Sequence, residues 1–174
     1  MELELAIKLI HHSSIQRPAI SAWADLGCGN GLFTNALASL LARGSTIYAI
    51  DKNENSLNAI LLPPAVTVEK IKADFIAETL NVPPLDGILL ANALHFVKDK
   101  TSFIRKIRTY IKPKAKILIV EYDITVSNPY VPFPISWQSL KDLFYQQGCE
   151  AIHKIQETPS IYHHANIYAA IISL

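Results

Sequence analysis

Three glycines in five positions, Gly27, Gly29 and Gly31, fall within ADLGCGNGLFT, the stretch from Ala24 to Thr34. Such a turn bends through positive φ, and a ligand can reach its main-chain amides, which favour an anionic group where they open a helix. The spacing argues against two familiar loops. A dinucleotide site follows G-x-G-x-x-G, but here Leu32 stands where that pattern wants glycine, and no Gly-Lys-Ser/Thr follows to make a phosphate loop. A glycine turn that serves only strand-to-helix packing is the competing explanation.

Acids weigh against that explanation. Asp25, Asp51 and Asp74 each close an apolar or alternating run, so three carboxylates are expected along one edge of a sheet. Asp51 follows Gly27 by twenty-four residues, close to the roughly 20 expected of an acid that takes ribose hydroxyls. One such Asp alone would be read as a helix cap or turn residue.

The elements that must carry these groups alternate strand and helix. Leu3, Ile7 and Ile10 put a stripe on a first helix, stopped near Ser13-Ser14 and Pro18. AISAWAD reads as a first strand, and Leu32, Ala36, Leu37, Leu40 and Leu41 mark a helix that Gly44 is placed to cap. STIYAI, VTVEKIKAD, LDGILLA and AKILIVEY are four further strands, the last two apolar enough to be covered on both faces. Helices fill 53–62, 99–111 (stopped by Pro113) and 136–148 (closed by Gly148). CEAIHKIQE and NIYAAIISL have no helix between them, so they pair antiparallel. The expected fold is a doubly wound, Rossmann-like α/β sheet of seven strands, about five of them parallel, ending in an antiparallel hairpin.

Composition narrows the class. The chain has 174 residues, half of them hydrophobic and 18% charged, with a net charge of +1. This excludes intrinsic disorder and a bulk electrostatic preference for nucleic acid. One domain over 1–174 is expected, with residues 1–16 a helix that caps the site. The start lacks signal-peptide features and no apolar run approaches the ~20 residues of a membrane span, so a cytoplasmic location is expected. Cys28 and Cys149 make neither a disulfide framework nor a zinc spacing. His11-His12 and His163-His164 are adjacent pairs whose rings diverge on a strand, so no metal is expected.

On these residues the chain resembles the class I S-adenosylmethionine-dependent methyltransferases. ADLGCGNG is similar to their first motif, D/E-x-G-x-G-x-G. The resemblance implies that Gly27, Cys28, Gly29 and Gly31 meet the methionyl part of S-adenosylmethionine, with Asp25 supporting the loop and the bound amino group. It implies that Asp51, with Lys52 beside it, grips the ribose, and that Asp74 and Phe75 in KADF meet adenine. LLANALHFV resembles the fourth motif, where main chain at Ala91 and Asn92 faces the methionyl amine. YIKPKAKILIVEYD is similar to the helix, turn and fifth strand of the family, although Lys114 and Ala115 replace its usual Gly-Gly.

Methyl transfer is an in-line displacement that needs orientation and exclusion of water, and a base only when the acceptor must lose a proton. His95, with an ordinary pKa of about 6.5, is the candidate base, the competing reading being a structural histidine. Tyr122 is the second candidate for acceptor contact, and Glu121 and Asp123 either face the pocket or fix the loop. Asn128-Pro129-Tyr130 imitates an N/D-P-P-Y motif but follows the wrong strand. Tyr130, Phe133 and Trp137 are expected as a wall or lid, or else as packing. His12 or His163 lining the acceptor pocket is a further alternative. Lys98 to Lys116 holds eight Lys or Arg and one Asp, read as a solvated helix face away from the cofactor edge.

A small-molecule acceptor is the first expectation, because no recognition domain or strong charge is evident. An RNA or protein methyltransferase, a non-catalytic methyltransferase-like binding module and a NAD-dependent oxidoreductase are the alternatives, the last disfavoured by the glycine spacing. Nucleic acid is not expected as a partner, and the oligomeric state is left open.

Overall fold

A computed structural model describes residues 1–16, 19–61, 64–160 and 165–174. In chain order it contains α1 (Leu3–Ile10), β1 (Ala22–Leu26), α2 (Leu32–Ala38), β2 (Thr46–Asp51), α3 (Glu54–Asn58), β3 (Thr67–Lys72) and β4 (Leu85–Ala91). A 3-10 turn (Leu94–Phe96), α4 (Lys100–Arg108), β5 (Ile111–Tyr122), α5 (Trp137–Gln146), β6 (Ala151–Pro159) and β7 (Asn166–Ser173) follow. The strands form one sheet in the order β3-β2-β1-β4-β5-β7-β6. β1 to β5 are parallel, and β7 lies antiparallel between β5 and β6.

Alternation along the inner strands divides the core into two layers. Ile88, Leu90, Ile117 and Ile119 face one side with Phe103 and Ile104 of α4 and Leu140 and Phe144 of α5. Leu89, Leu118 and Val120 face the other with Ala6, Leu9 and Ile10 of α1 and Ala36 and Leu37 of α2. Successive side chains in a strand point to opposite faces, so strands covered on both faces read as unbroken apolar runs.

Several local expectations are corrected. Of the stripe expected on α1 only Ile10 is buried; Leu3 is exposed and Ile7 half-buried, and Ala6 and Leu9 complete the buried face. α2 stops at Ala38, and Gly44 turns into β2 rather than capping the helix, its N–H donating to Ala65 O. α4 stops at Arg108, and Pro113 sits inside the extended β5, next to Lys114, which holds φ 66 where the family has glycine. Pro18, Pro63, His163 and His164 lie outside the described residues. Among the described residues no helix is long and apolar enough to cross a membrane.

Candidate functional site

The sheet reverses its order between β1 and β4, and a crevice opens there beyond the carboxyl ends of the strands. Main-chain bonds extend the ladder past the strand ends and hold the loops together. Gly27 and Cys28 N–H donate to Ile50 O, Ala73 N–H to Asp51 O, and Asn92 N–H to Val120 O.

The three glycines answer to different neighbours. At Gly27 (φ 76) a Cβ would stand 2.9 Å from Ala93 Cβ and 3.0 Å from Phe75 Cε1, so the β3 and β4 loops require its absence. At Gly31, the N-cap of α2, a Cβ would meet Ile60 at 2.7 Å. At Gly29 (φ 53) a Cβ would meet nothing within 4 Å. Gly31 thus serves packing, and Gly29 borders open space.

Around this turn lie three cavities that share Asn92. The first, of ≈ 230 Å³, is lined by Gly27, Asp51, Lys52, Asp74, Phe75 and Asn92, among others. The second, of ≈ 200 Å³, has Asp25, Gly27, Cys28, Gly29, Ala91 and Asn92 in its wall. The third, of ≈ 230 Å³, lies between α1 and the ends of β5 and β7, with Leu5, Phe33, Asn92 and Tyr122 in its lining. Asn92 is a non-glycine residue at φ 52, and its Oδ1 is buried with no hydrogen-bond partner among the described residues. An unpaired buried acceptor costs about 1–3 kcal/mol, so the Asn92 turn carries a local cost beside the three spaces.

Each aspartate is engaged in its own way. Asp25 is 1% exposed and accepts a bond from Thr34 Oγ1 at 2.7 Å. Burial raises its pKa to about 7; the Thr34 bond opposes this and the charge of Asp51 adds to it. Asp51 accepts from Gly29 N at 2.9 Å and Asn53 N at 2.8 Å, and so ties the glycine turn to the β2 loop. Asp74, two residues beyond β3, accepts from Ile76 N and Ala77 N and shapes the turn that carries Phe75. Cys28 is buried against Ala49, Leu57 and Ile60, and burial followed by the charges of Asp25 and Asp51 pushes its thiol pKa far up.

His95 lies on the 3-10 turn, 3% exposed. Its main-chain N–H donates to Glu121 Oε1 at 3.0 Å and its ring Nδ1 stands 2.8 Å from Glu121 Oε2, while Phe96 packs over the ring at 4.3 Å. It lines none of the three cavities. Tyr122 does line the third. Asp123 accepts from Trp137 N, and Trp137 packs edge-on against Tyr168 with Lys141 and Lys154 over its ring. Tyr130, Phe133 and Trp137 likewise line none of these cavities; packing explains Trp137, and Tyr130 is 75% exposed. His12 bonds Ser14 and is not in their walls either.

The basic segment is not simply a solvated face. Lys100 donates to Val97 O and Phe133 O, Arg108 to Gln147 O and Lys116 to Ser173 Oγ, while Lys112 pairs with Asp86. Lys106 donates to the carbonyls of Phe75, Ile76 and Glu78, and so reaches the loop after β3, while much of the segment's charge was expected away from that edge. Sequence reading also missed the Thr34–Asp25 and Glu121–His95 pairs. A signal existed for both: Thr34 is polar on an apolar helix face and Glu121 is an acid in a buried strand. No group of three or more metal-ligating side chains occurs among the described residues.

A family model described as a methyltransferase domain matches residues 24–117, more than half of the chain. The chain belongs to the class I S-adenosylmethionine-dependent methyltransferase family. Its cofactor is S-adenosylmethionine. Among solved structures, YcgJ from Bacillus subtilis is 12% identical with a TM-score of 0.70, covering 98% of this chain and 97% of that one. The plantazolicin methyltransferase BpumL in complex with SAH is 11% identical with a TM-score of 0.65, covering 98% and 82%. Magnesium protoporphyrin IX methyltransferase from Synechocystis PCC 6803 with bound SAM is 12% identical with a TM-score of 0.68, covering 97% and 77%. At these identities the likeness speaks for the fold alone. A comparison with curated protein sequences gives no match. The residues of this methyltransferase fit the cofactor: open space faces Gly29, and carboxylates and Asn92 border the cavities on both sides of Gly27.

Proposed function

We propose that this methyltransferase transfers a methyl group to a small-molecule acceptor, with the cofactor lying across Gly27 between the first two cavities and the acceptor in the third. The carrying observation is that one residue, Asn92, borders all three spaces. In this reading Asp51 and Lys52 hold the ribose, and Asp74 and Phe75 flank adenine. Gly27, Gly29, Ala91 and Asn92 face the methionyl portion from the main chain, while Asp25, Cys28 and Gly31 shape the turn. The cofactor supplies an electrophilic methyl group on a sulfonium. The chain supplies alignment and a site shielded from water.

On the acceptor side, α1 forms a wall through Leu5, and Tyr122 offers the contact nearest the end of β5. His95, clamped by Glu121, positions the turn after β4 rather than acting as a base. A small acceptor suits both the size of the third cavity and the basic residues of 98–116, half of which bond the protein's own carbonyls and acids. Calorimetric titration with S-adenosylmethionine, S-adenosylhomocysteine and NAD tests the cofactor part: the first two should bind and NAD should not, and the reverse ends the proposal. Screening metabolite extracts and total RNA with methyl-labelled cofactor tests the acceptor part, label in RNA alone being the result that refutes it.

A further inference from the structure

The turn after β3 is held by a helix that comes much later in the chain. Asp74 Oδ1 accepts from Ile76 N and Ala77 N and so takes up the amides of the turn. Lys106 of α4 donates to the carbonyls of Phe75, Ile76 and Glu78 and so takes up its oxygens. An ammonium carries three N–H groups, and three carbonyls converge on this one. Phe103 lies three residues earlier on α4, hence on the same face as Lys106. Its ring meets that of Phe75 edge-on, 5.7 Å between centroids. One face of α4 thus holds both the ring and the main chain of Phe75. The same ring bounds Gly27, where a Cβ would stand 3.0 Å from Phe75 Cε1. Burial does little to steady the turn, because Ile76, Ala77 and Glu78 are exposed. A loop with few buried contacts opens at small cost, so the charged hydrogen bonds from Lys106 weigh heavily in its order.

We propose that Lys106 is a positioning residue of the cofactor site: its ammonium fixes the turn after β3, and with it the Asp74 carboxylate and the Phe75 ring, at the adenine end of the first cavity. The inference rests on the reading of that cavity as the cofactor's and gives α4 a share in cofactor affinity. Asp74, Phe75 and Ile76 line the cavity and Lys106 does not, so Lys106 acts through the turn. Without its ammonium, an arriving ligand has to order the turn as well as fill the space, and affinity falls by that cost.

The test titrates S-adenosylhomocysteine and 5′-methylthioadenosine, which lacks the amino-acid part, into wild type and variants by calorimetry. Lys106→Met keeps most of the stem and removes the donors; it should weaken both ligands by the same factor, about tenfold. Lys106→Arg supplies several donors again and should recover affinity to within about threefold of wild type. Arg105→Met, at an exposed position on the same helix, should change neither ligand. Hydrogen exchange at the amides of Ile76 and Ala77 should speed up in Lys106→Met and recover in Lys106→Arg while the amides of β4 stay unchanged, which separates a loosened turn from a loosened fold. Equal affinity of wild type and Lys106→Met, a loss confined to S-adenosylhomocysteine, an Arg variant as weak as the Met variant, or an equal loss from Arg105→Met would overturn the proposal. If neither ligand binds the wild-type protein, the cofactor assignment fails instead, and exchange at Ile76 and Ala77 still reads whether Lys106 holds the turn.

Discussion

Around Gly27 and Asp51 the polar groups are tied to one another across loops, whereas around Leu5 and Tyr122 the walls are mainly apolar side chains. On the first side, Asp51 holds Gly29 and Asn53, Thr34 holds Asp25, and Lys106 holds the carbonyls of the 75–78 turn. On the second, Leu5 is 40% exposed, so replacing it should disturb little else. Substitutions on the first side should therefore change stability and cofactor affinity together, and those on the second should change ligand choice alone. The matched family model, residues 24–117, covers the first side and stops short of Tyr122.

The largest expected effect concerns Asp25. Its pKa is raised in the folded protein from 3.8 to about 7, so its contribution is fully present below pH 3.8 and is lost as pH rises through 7. Ionising it in the fold costs on the order of 4 kcal/mol at most. Asp25→Asn should flatten the fall in stability between pH 4 and 7, measured by urea unfolding, and should stabilise the protein at pH 8. An unchanged slope would show that the buried carboxyl is not the cause.

Next come the glycines, which sharpen the contrast within the first side. Gly27→Ala should lose about 3 kcal/mol, from 1–3 of overpacking and 1–2 of left-handed strain. Gly29→Ala should lose only about 1–2 kcal/mol, the strain alone, yet still weaken S-adenosylhomocysteine binding because its Cβ enters the ligand space. Equal losses of stability from the two would break the distinction between packed and open glycine. Asp51→Ala should weaken cofactor affinity by roughly tenfold, about 1.4 kcal/mol, measured by calorimetry. The smallest effect belongs to Leu5→Ala, about 0.5 kcal/mol or less, with cofactor affinity unchanged; a tenfold loss there would join the two sides into one unit.

Much of the framework was legible because it depends on local pattern. β4 over Leu85–Ala91 is an apolar run bounded by polar and turn residues, and the missing crossover helix before β7 announces the antiparallel finish. The site aspartates were legible because each closes or follows a strand at the same edge. What escaped are contacts between elements far apart in sequence. Ile60 filling the space at Gly31, Lys106 reaching the 75–78 turn and Glu121 clamping His95 depend on how helices settle on the sheet, which periodicity does not specify. The exposed Leu3 is the same lesson in small: α1 offers apolar residues on more than one side, and only packing against α2 and β6 selects Ala6, Leu9 and Ile10.

Hydrogen–deuterium exchange with and without S-adenosylhomocysteine tests the central claim most directly, because it reads where the cofactor lies as well as whether it binds. Protection should rise at 27–30, 51–53 and 74–77, with α5 unchanged. Protection confined to α5 and the β6–β7 pair, with the glycine turn unaffected, would contradict the account.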